Sequence, residues 1–117
     1  MRSSGGNTSR VIFHVDRFDD WGLALGNVRN YLREVPDAEI EVLANASAVA
    51  FFVVPQLELK ELWQSLADQG VDFALCNNAL NNFGITKADL DSRLRIVPAG
   101  VVEVANKQAE GFAYVKP

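Results

Sequence analysis

The chain has 117 residues, a formal net charge of −4 and a pI near 4.9, with 49% of its residues hydrophobic and 22% charged. That is the composition of one globular domain with a buried core. No basic run could neutralise a row of phosphates, so nucleic acid is not an expected partner. The longest apolar run, Ala48 to Val54, falls far short of the ~20 residues that span a bilayer, so no membrane segment is expected.

Residues 1–9 are polar and glycine-bearing and lack the apolar stretch of a signal peptide. They read as a flexible leader ahead of a single domain over 10–117, in a cytoplasmic protein. Val11 to Val15 is apolar and β-branched, flanked by Arg10 and Asp16, and predicts a buried first strand. Asp19 or Asp20 suits the N-cap of the helix that follows. Trp21, Ala24, Leu25, Val28, Tyr31 and Leu32 recur at helical spacing, and Pro36 ends the pattern. Ile40 to Ala44 is the second strand. The run Ala48 to Val54 fits a strand or a short helix, and Pro55 stops it. Leu59, Leu62, Trp63, Leu66 and Ala67 form a second helical stripe closed by Gly70.

Val71 to Leu75 is the third strand. A short helix over Asn78 to Phe83 is broken by Gly84, and Thr86 caps a turn over Lys87 to Asp91. Leu94 to Val97 is the fourth strand and Pro98-Ala99-Gly100 a turn. Val101, Val102, Ala105 and Ala109 read as the apolar side of a last helix that stops near Gly111, before a fifth strand from Phe112 to Val115. Strands alternating with helices predict an α/β fold: a five-stranded parallel sheet, right-handed crossovers, and helices on both faces.

Ligands of open parallel sheets bind beyond the carboxyl ends of the strands. His14-Val15-Asp16, Asn45, Cys76-Asn77-Asn78 and Pro98-Ala99-Gly100 occupy those ends. Cys76 leads into a helix start, where backbone N–H groups favour the reactive thiolate. It is equally readable as a small buried hydrophobe. Asn77 and Asn78 can cap the helix or hydrogen-bond a ligand. Asn27 borders the apolar stripe of the first helix and could reach the sheet edge, whereas Asn30 points outward. His14 is the one imidazole available near Cys76, and also fits a satisfied core position. With one cysteine and one histidine, neither an internal disulfide nor a protein-only zinc site is expected. Neither the dinucleotide-binding glycine signature nor the phosphate loop is present, so no cofactor is expected. The nucleophile elbow of α/β-hydrolases is absent as well. Leu23 on the outer side of its helix, with the apolar run 48–54, points to a homo-oligomer.

The segments Val11 to Val15, Trp21 to Asn30, Gly70 to Asn78, Val97 to Glu103 and Gln108 to Pro117 together resemble the DsrE/DsrF-like family, associated with intracellular sulfur oxidation and sulfur relay. The resemblance implies a three-layer α/β/α domain, assembly into trimers or hexamers, and a cysteine site near a subunit junction. It implies a sulfur carrier or sulfurtransferase in which Cys76 holds sulfane sulfur as a persulfide, exchanged with donor and acceptor proteins. The other expectation is a non-catalytic small-ligand or regulatory module with Cys76 as pocket wall. In either, the ligand-facing residues are His14, Asn27, Asn45, Asn77, Asn78 and Gly100.

Overall fold

The computed structural model describes residues 9–54 and 57–117. Residues 1–8 of the expected leader, and Pro55 as a stop, lie outside the described residues. Ser9 is tied to the domain: its carbonyl accepts the Glu39 N–H at 2.8 Å and its hydroxyl meets that of Tyr31.

The five strands are β1 (Arg10–Val15), β2 (Glu39–Ala44), β3 (Asp72–Cys76), β4 (Arg95–Val97) and β5 (Ala113–Val115). All pair in parallel, in the order β4-β3-β2-β1-β5. The helices are α1 (Trp21–Glu34), α2 (Leu57–Asp68), α3 (Asn77–Asn82) and α4 (Gly100–Ala109). The chain steps from β1 to β4 in one direction, with α1, α2 and α3 on one face of the sheet. It then returns past three strands to β5 with α4 on the other face. Right-handed crossovers run in opposite directions place their helices on opposite faces, and the result is a three-layer α/β/α sandwich.

The two faces are built differently. Under α1–α3 the core is apolar and rich in rings. Trp21 stacks on Phe51 at 4.8 Å between centroids, and Phe52 sets its edge against Trp21 and Trp63. Such pairs add roughly 0.5–1.5 kcal/mol each beyond their buried area. The run Ala48 to Val54 resolves here. It belongs to a 3₁₀ helix, Ala46–Val53, whose Ala48, Val49 and Phe51 are buried, so most of it is core rather than an external patch. The Trp21 indole N–H donates to the Ala48 carbonyl at 2.9 Å and fixes that segment against α1.

The α4 face has a small apolar cluster, Ile12, Leu43, Ala74, Val97 and Phe112, with Val104 packed on it. The expected apolar side of this helix is corrected. Val101 is 69% exposed and Val102 53% exposed, and Ala105 and Ala109 also face outward. The residues turned toward the sheet are Gly100, Glu103, Val104 and Lys107, spaced i, i+3, i+4 and i+7. Charges line that stripe because the strands beneath it carry Glu41, Asp72 and Arg95.

Two capping expectations also change. Asp20 stands at the N-cap of α1 but makes no side-chain cap hydrogen bond, and a 3₁₀ turn over Phe18–Asp20 precedes the helix. Cys76, not Asn77 or Asn78, holds the N-cap position of α3. Thr86 does cap, in a reciprocal box with Asp89. Gly70 ends α2 with φ 102°, a left-handed conformation that lets Val71 N–H reach the Leu66 carbonyl.

Gly100 is where α4 touches down. A Cβ there would lie 3.1 Å from Asn45 Cβ, 3.1 Å from Leu43 Cδ1 and 3.2 Å from Cys76 Cβ. Two of those three atoms are fixed to strand ends and cannot swing away. Gly100→Ala is therefore expected to destabilise the fold by about 1–3 kcal/mol despite alanine's better helix propensity. Urea unfolding at neutral pH measures it, and a variant as stable as the parent contradicts this packing.

Candidate functional site

The connections leaving the carboxyl ends of β1, β2 and β3 turn to the α1–α3 face, while the one leaving β4 turns to the α4 face. The chain therefore forks between β3 and β4, the kind of switch point at which open α/β sheets open a crevice. Cys76 ends β3 there, paired in register with Val97 of β4. Gly100, three residues beyond Val97, closes onto it from α4. Asn45, just past β2, meets the same point.

Cys76, Asn45 and Gly100 are thus brought together, and His14 joins them through Asn45. His14 Nε2 lies 2.9 Å from Asn45 Oδ1, and its Nδ1 lies 2.7 Å from the Tyr114 hydroxyl. An amide oxygen only accepts, so Nε2 carries the proton and, in the neutral ring, Nδ1 accepts from Tyr114. Both ring nitrogens are occupied. His14 therefore does not address the thiol as a free base. It fixes the Asn45 amide, whose NH₂ remains a donor. Ala46 contributes strain next to this site: its φ of 49° is left-handed, at a cost of roughly 1–2 kcal/mol for a residue with a Cβ.

The other expected residues are placed less closely. Asn77 is half-buried and Asn78 exposed in the first turn of α3. Asn27 is not with Cys76. It lies on the α1–α3 side, in a groove of about 380 Å³ shared with Phe13, Asn30, Tyr31, Glu34 and Val115. A larger cleft of about 750 Å³ runs between Phe52, Trp63, Phe83, Lys60 and Asp91, and none of the expected site residues lines it. Cys76 itself is buried, with 7% of its surface exposed.

Sequence reading missed Tyr114 and the charged cluster beneath α4. Tyr114 is opposite Ile12 in the β1–β5 register, so strand alternation places it on the same face as His14. The cluster centres on Glu41, which is 2% exposed. Arg95 Nη2 lies 3.3 Å from Glu41, 2.8 Å from Asp72 and 3.0 Å from Glu103, and Lys107 Nζ lies 3.6 Å from Glu41. Neither Glu41 oxygen has a well-directed hydrogen bond, so these ion contacts compensate its burial incompletely. Burial first, and then the carboxyls of Glu103 and Asp72, push Glu41 up to about 8 against the opposing pull of Arg95. Burial also acts upward on Glu103, but the neighbouring Glu41 carboxyl, the Arg95 guanidinium and the charge of Lys107 hold it below the usual range.

This three-layer sandwich places the chain among small parallel α/β proteins. The chain belongs to the DsrE/DsrF-like family, whose model matches residues 23–117. Among solved structures it is similar to the protein of unknown function MTH1491 from Methanobacterium thermoautotrophicum. The two are 32% identical, with a TM-score of 0.83, over 93% of this chain and 99% of that one. The ychN protein from E. coli shares the fold at 15% identity and a TM-score of 0.75, over 94% of this chain and 100% of that one. No curated protein matches the chain. Among the described residues no helix is long and apolar enough to cross a membrane.

Glu41 gives a pH signature. Unfolded, it titrates near 4.5; folded, near 8. Between those values the native state binds the extra proton, so Glu41 makes stability fall as pH rises through that window. Glu41→Gln is expected to flatten this decline and to be more stable than the parent above about pH 8. Thermal melts from acid to alkaline buffer check it, and parallel profiles for parent and variant refute it.

Proposed function

We propose that this protein is a sulfur carrier that holds sulfane sulfur on Cys76. The Cys76 thiolate attacks the outer sulfur of a donor persulfide. A new S–S bond forms on Cys76, the donor's S–S bond breaks, and the electron pair leaves with the donor thiolate, which takes up a proton. An acceptor thiolate then attacks the outer sulfur in the same way and Cys76 is released. Each step is thiol exchange, and no outside oxidant or reductant enters. The observation that carries the reading is that the chain's one cysteine stands at the fork between β3 and β4, in a chain of the DsrE/DsrF-like family. The Asn45 amide, oriented by His14, is the neighbouring donor suited to a sulfur anion. A carrier that works through a free thiol fits the reducing cytoplasm.

A second reading has its own support. The burial of Cys76 fits a small-ligand or regulatory module in which the thiol is part of a pocket wall. The two readings separate in one experiment. Incubated with a persulfide donor, the protein is expected to gain about 32 daltons, one sulfur atom, on the Cys76 peptide, and Cys76→Ser to gain none. A parent that stays unmodified while a free small thiol reacts leaves the pocket-wall reading in its place.

We also propose a homo-oligomer, trimeric or hexameric. Val101 and Val102 on α4 and Leu23 on α1, which is 59% exposed, are apolar side chains of the kind a subunit contact covers. Sedimentation at micromolar concentration is expected to show an assembly that Val101→Asp with Val102→Asp weakens. A strictly monomeric parent rejects it.

A further inference from the structure

We propose that α4 is a proton-controlled cover over Cys76: while the carboxyls of Glu41 and Glu103 hold one proton between them the helix stays seated, and losing that proton loosens it and opens the thiol. The inference names a regulation of the same site proposed to carry sulfur, but concerns only access to the thiol.

The seating of α4 is unusual in what it lacks. Gly100 is its one buried residue. Val104 is half-buried on the small apolar cluster, and the remaining inward contacts are charged. The helix is therefore held to a large degree by Glu103 and Lys107 reaching Arg95 of β4 and Glu41 of β2. Its first residue rests on Cys76 Cβ and Asn45 Cβ. A small outward movement of the N-terminal turn removes the contact of Gly100 with the Cys76 side chain.

The charge count makes that movement depend on a proton. Three carboxylates, Glu41, Glu103 and Asp72, face two cations, Arg95 and Lys107. With one proton shared, the set is neutral. Without it, an excess negative charge sits where Glu41 is 2% exposed, and water is the only remaining means of compensation. Among the described residues, the elements around the set bring no third cation to bear. From β1, Ile12 stands opposite Glu41, and Arg10 is engaged by Glu39 and by the Glu110 carbonyl. Glu110 on α4 draws on Lys107 from 3.8 Å, which takes charge away from Glu41 rather than adding to it. Relief comes by moving Glu103 away from Glu41, and Glu103 moves with α4. Glu41 titrates near 8, so the change falls close to neutral pH.

The experiment is the alkylation rate of Cys76 in the intact protein by an uncharged reagent, iodoacetamide. It is followed from about pH 6 to about pH 9.5 and divided by the rate of a free small thiol to remove ordinary thiol ionisation. In the parent this ratio is expected to rise several-fold between neutral and alkaline pH. In Glu41→Gln and in Glu103→Gln, which each remove the shared proton's site, it is expected to stay level. The protection of the α4 amides, their exchange read by mass spectrometry and divided by the intrinsic base-catalysed rate at each pH, is expected to fall over the same range in the parent alone. A level parent profile, or a rise that persists in both variants, overturns the proposal. A protein that shows the rise but accepts no sulfur keeps its cover and loses its carrier role. One that accepts sulfur with a level profile does the reverse.

Discussion

Right-handed crossover is the constraint from which the other features descend. A chain that lays down β1 to β4 in one direction must keep α1, α2 and α3 on one face, and a chain that then returns to β5 must put its helix on the other. The reversal forces neighbouring strands β3 and β4 to send their continuations apart. Cys76 and Gly100 therefore face each other across the fork for topological reasons, before any question of chemistry. A single returning helix must also cover what three helices cover on the far side.

That asymmetry accounts for the unequal interiors. The α1–α3 face can bury Trp21, Phe13, Phe73 and Leu75 almost completely, because three helical elements and a 3₁₀ segment close over it. The α4 face has room for a thin apolar layer near Leu43 and Ala74 and then runs out of cover. Toward the amino ends of the strands the helix meets Glu41, Asp72 and Arg95, and answers with Glu103 and Lys107. Toward their carboxyl ends it answers with a glycine, since anything larger would meet Asn45 and Cys76. Charge at one end of α4 and close approach at the other thus belong to one seating.

Strand and helix identity was legible from periodicity because each element carries a clear signal: short, largely apolar runs for β1 to β3 and an unbroken 3.6-residue stripe for α1. The Cys76, Asn45 and Gly100 neighbourhood was legible too, since it follows from where strands end. The orientation of α4 was not. Val101, Val102, Ala105 and Ala109 look like a buried stripe to any rule that assumes apolar residues face the sheet. The opposing strands bear charges, so Glu103 and Lys107 face inward and the valines face out. Glu41 was the available warning, a carboxylate between Ile40 and Val42 in a strand that is buried on both sides. Tyr114 escaped because a three-residue strand has too little length to show alternation, and its partnership with His14 depends on β5 lying beside β1. That Asn27 lies apart from Cys76 was not legible for the converse reason: helical spacing gives a side chain's direction around its own axis but not which face of the sheet the helix occupies.

A buried carboxylate with imperfect partners calls for a physical account, because an apolar residue of similar volume would serve stability as well or better. Within the set of three carboxylates and two cations, an apolar Glu41 substitute would leave Asp72 and Glu103 against Arg95 and Lys107, two of each sign and balanced without any proton. The glutamate is thus the one member whose presence makes the cluster odd in charge. Oddness of this kind does not improve packing. It makes the position of α4 sensitive to the protonation of its own supports, and the first residue of α4 is the one that rests on Cys76. The same arrangement that makes this face the weaker of the two joins the acid–base state of β2 to the exposure of the thiol at the end of β3.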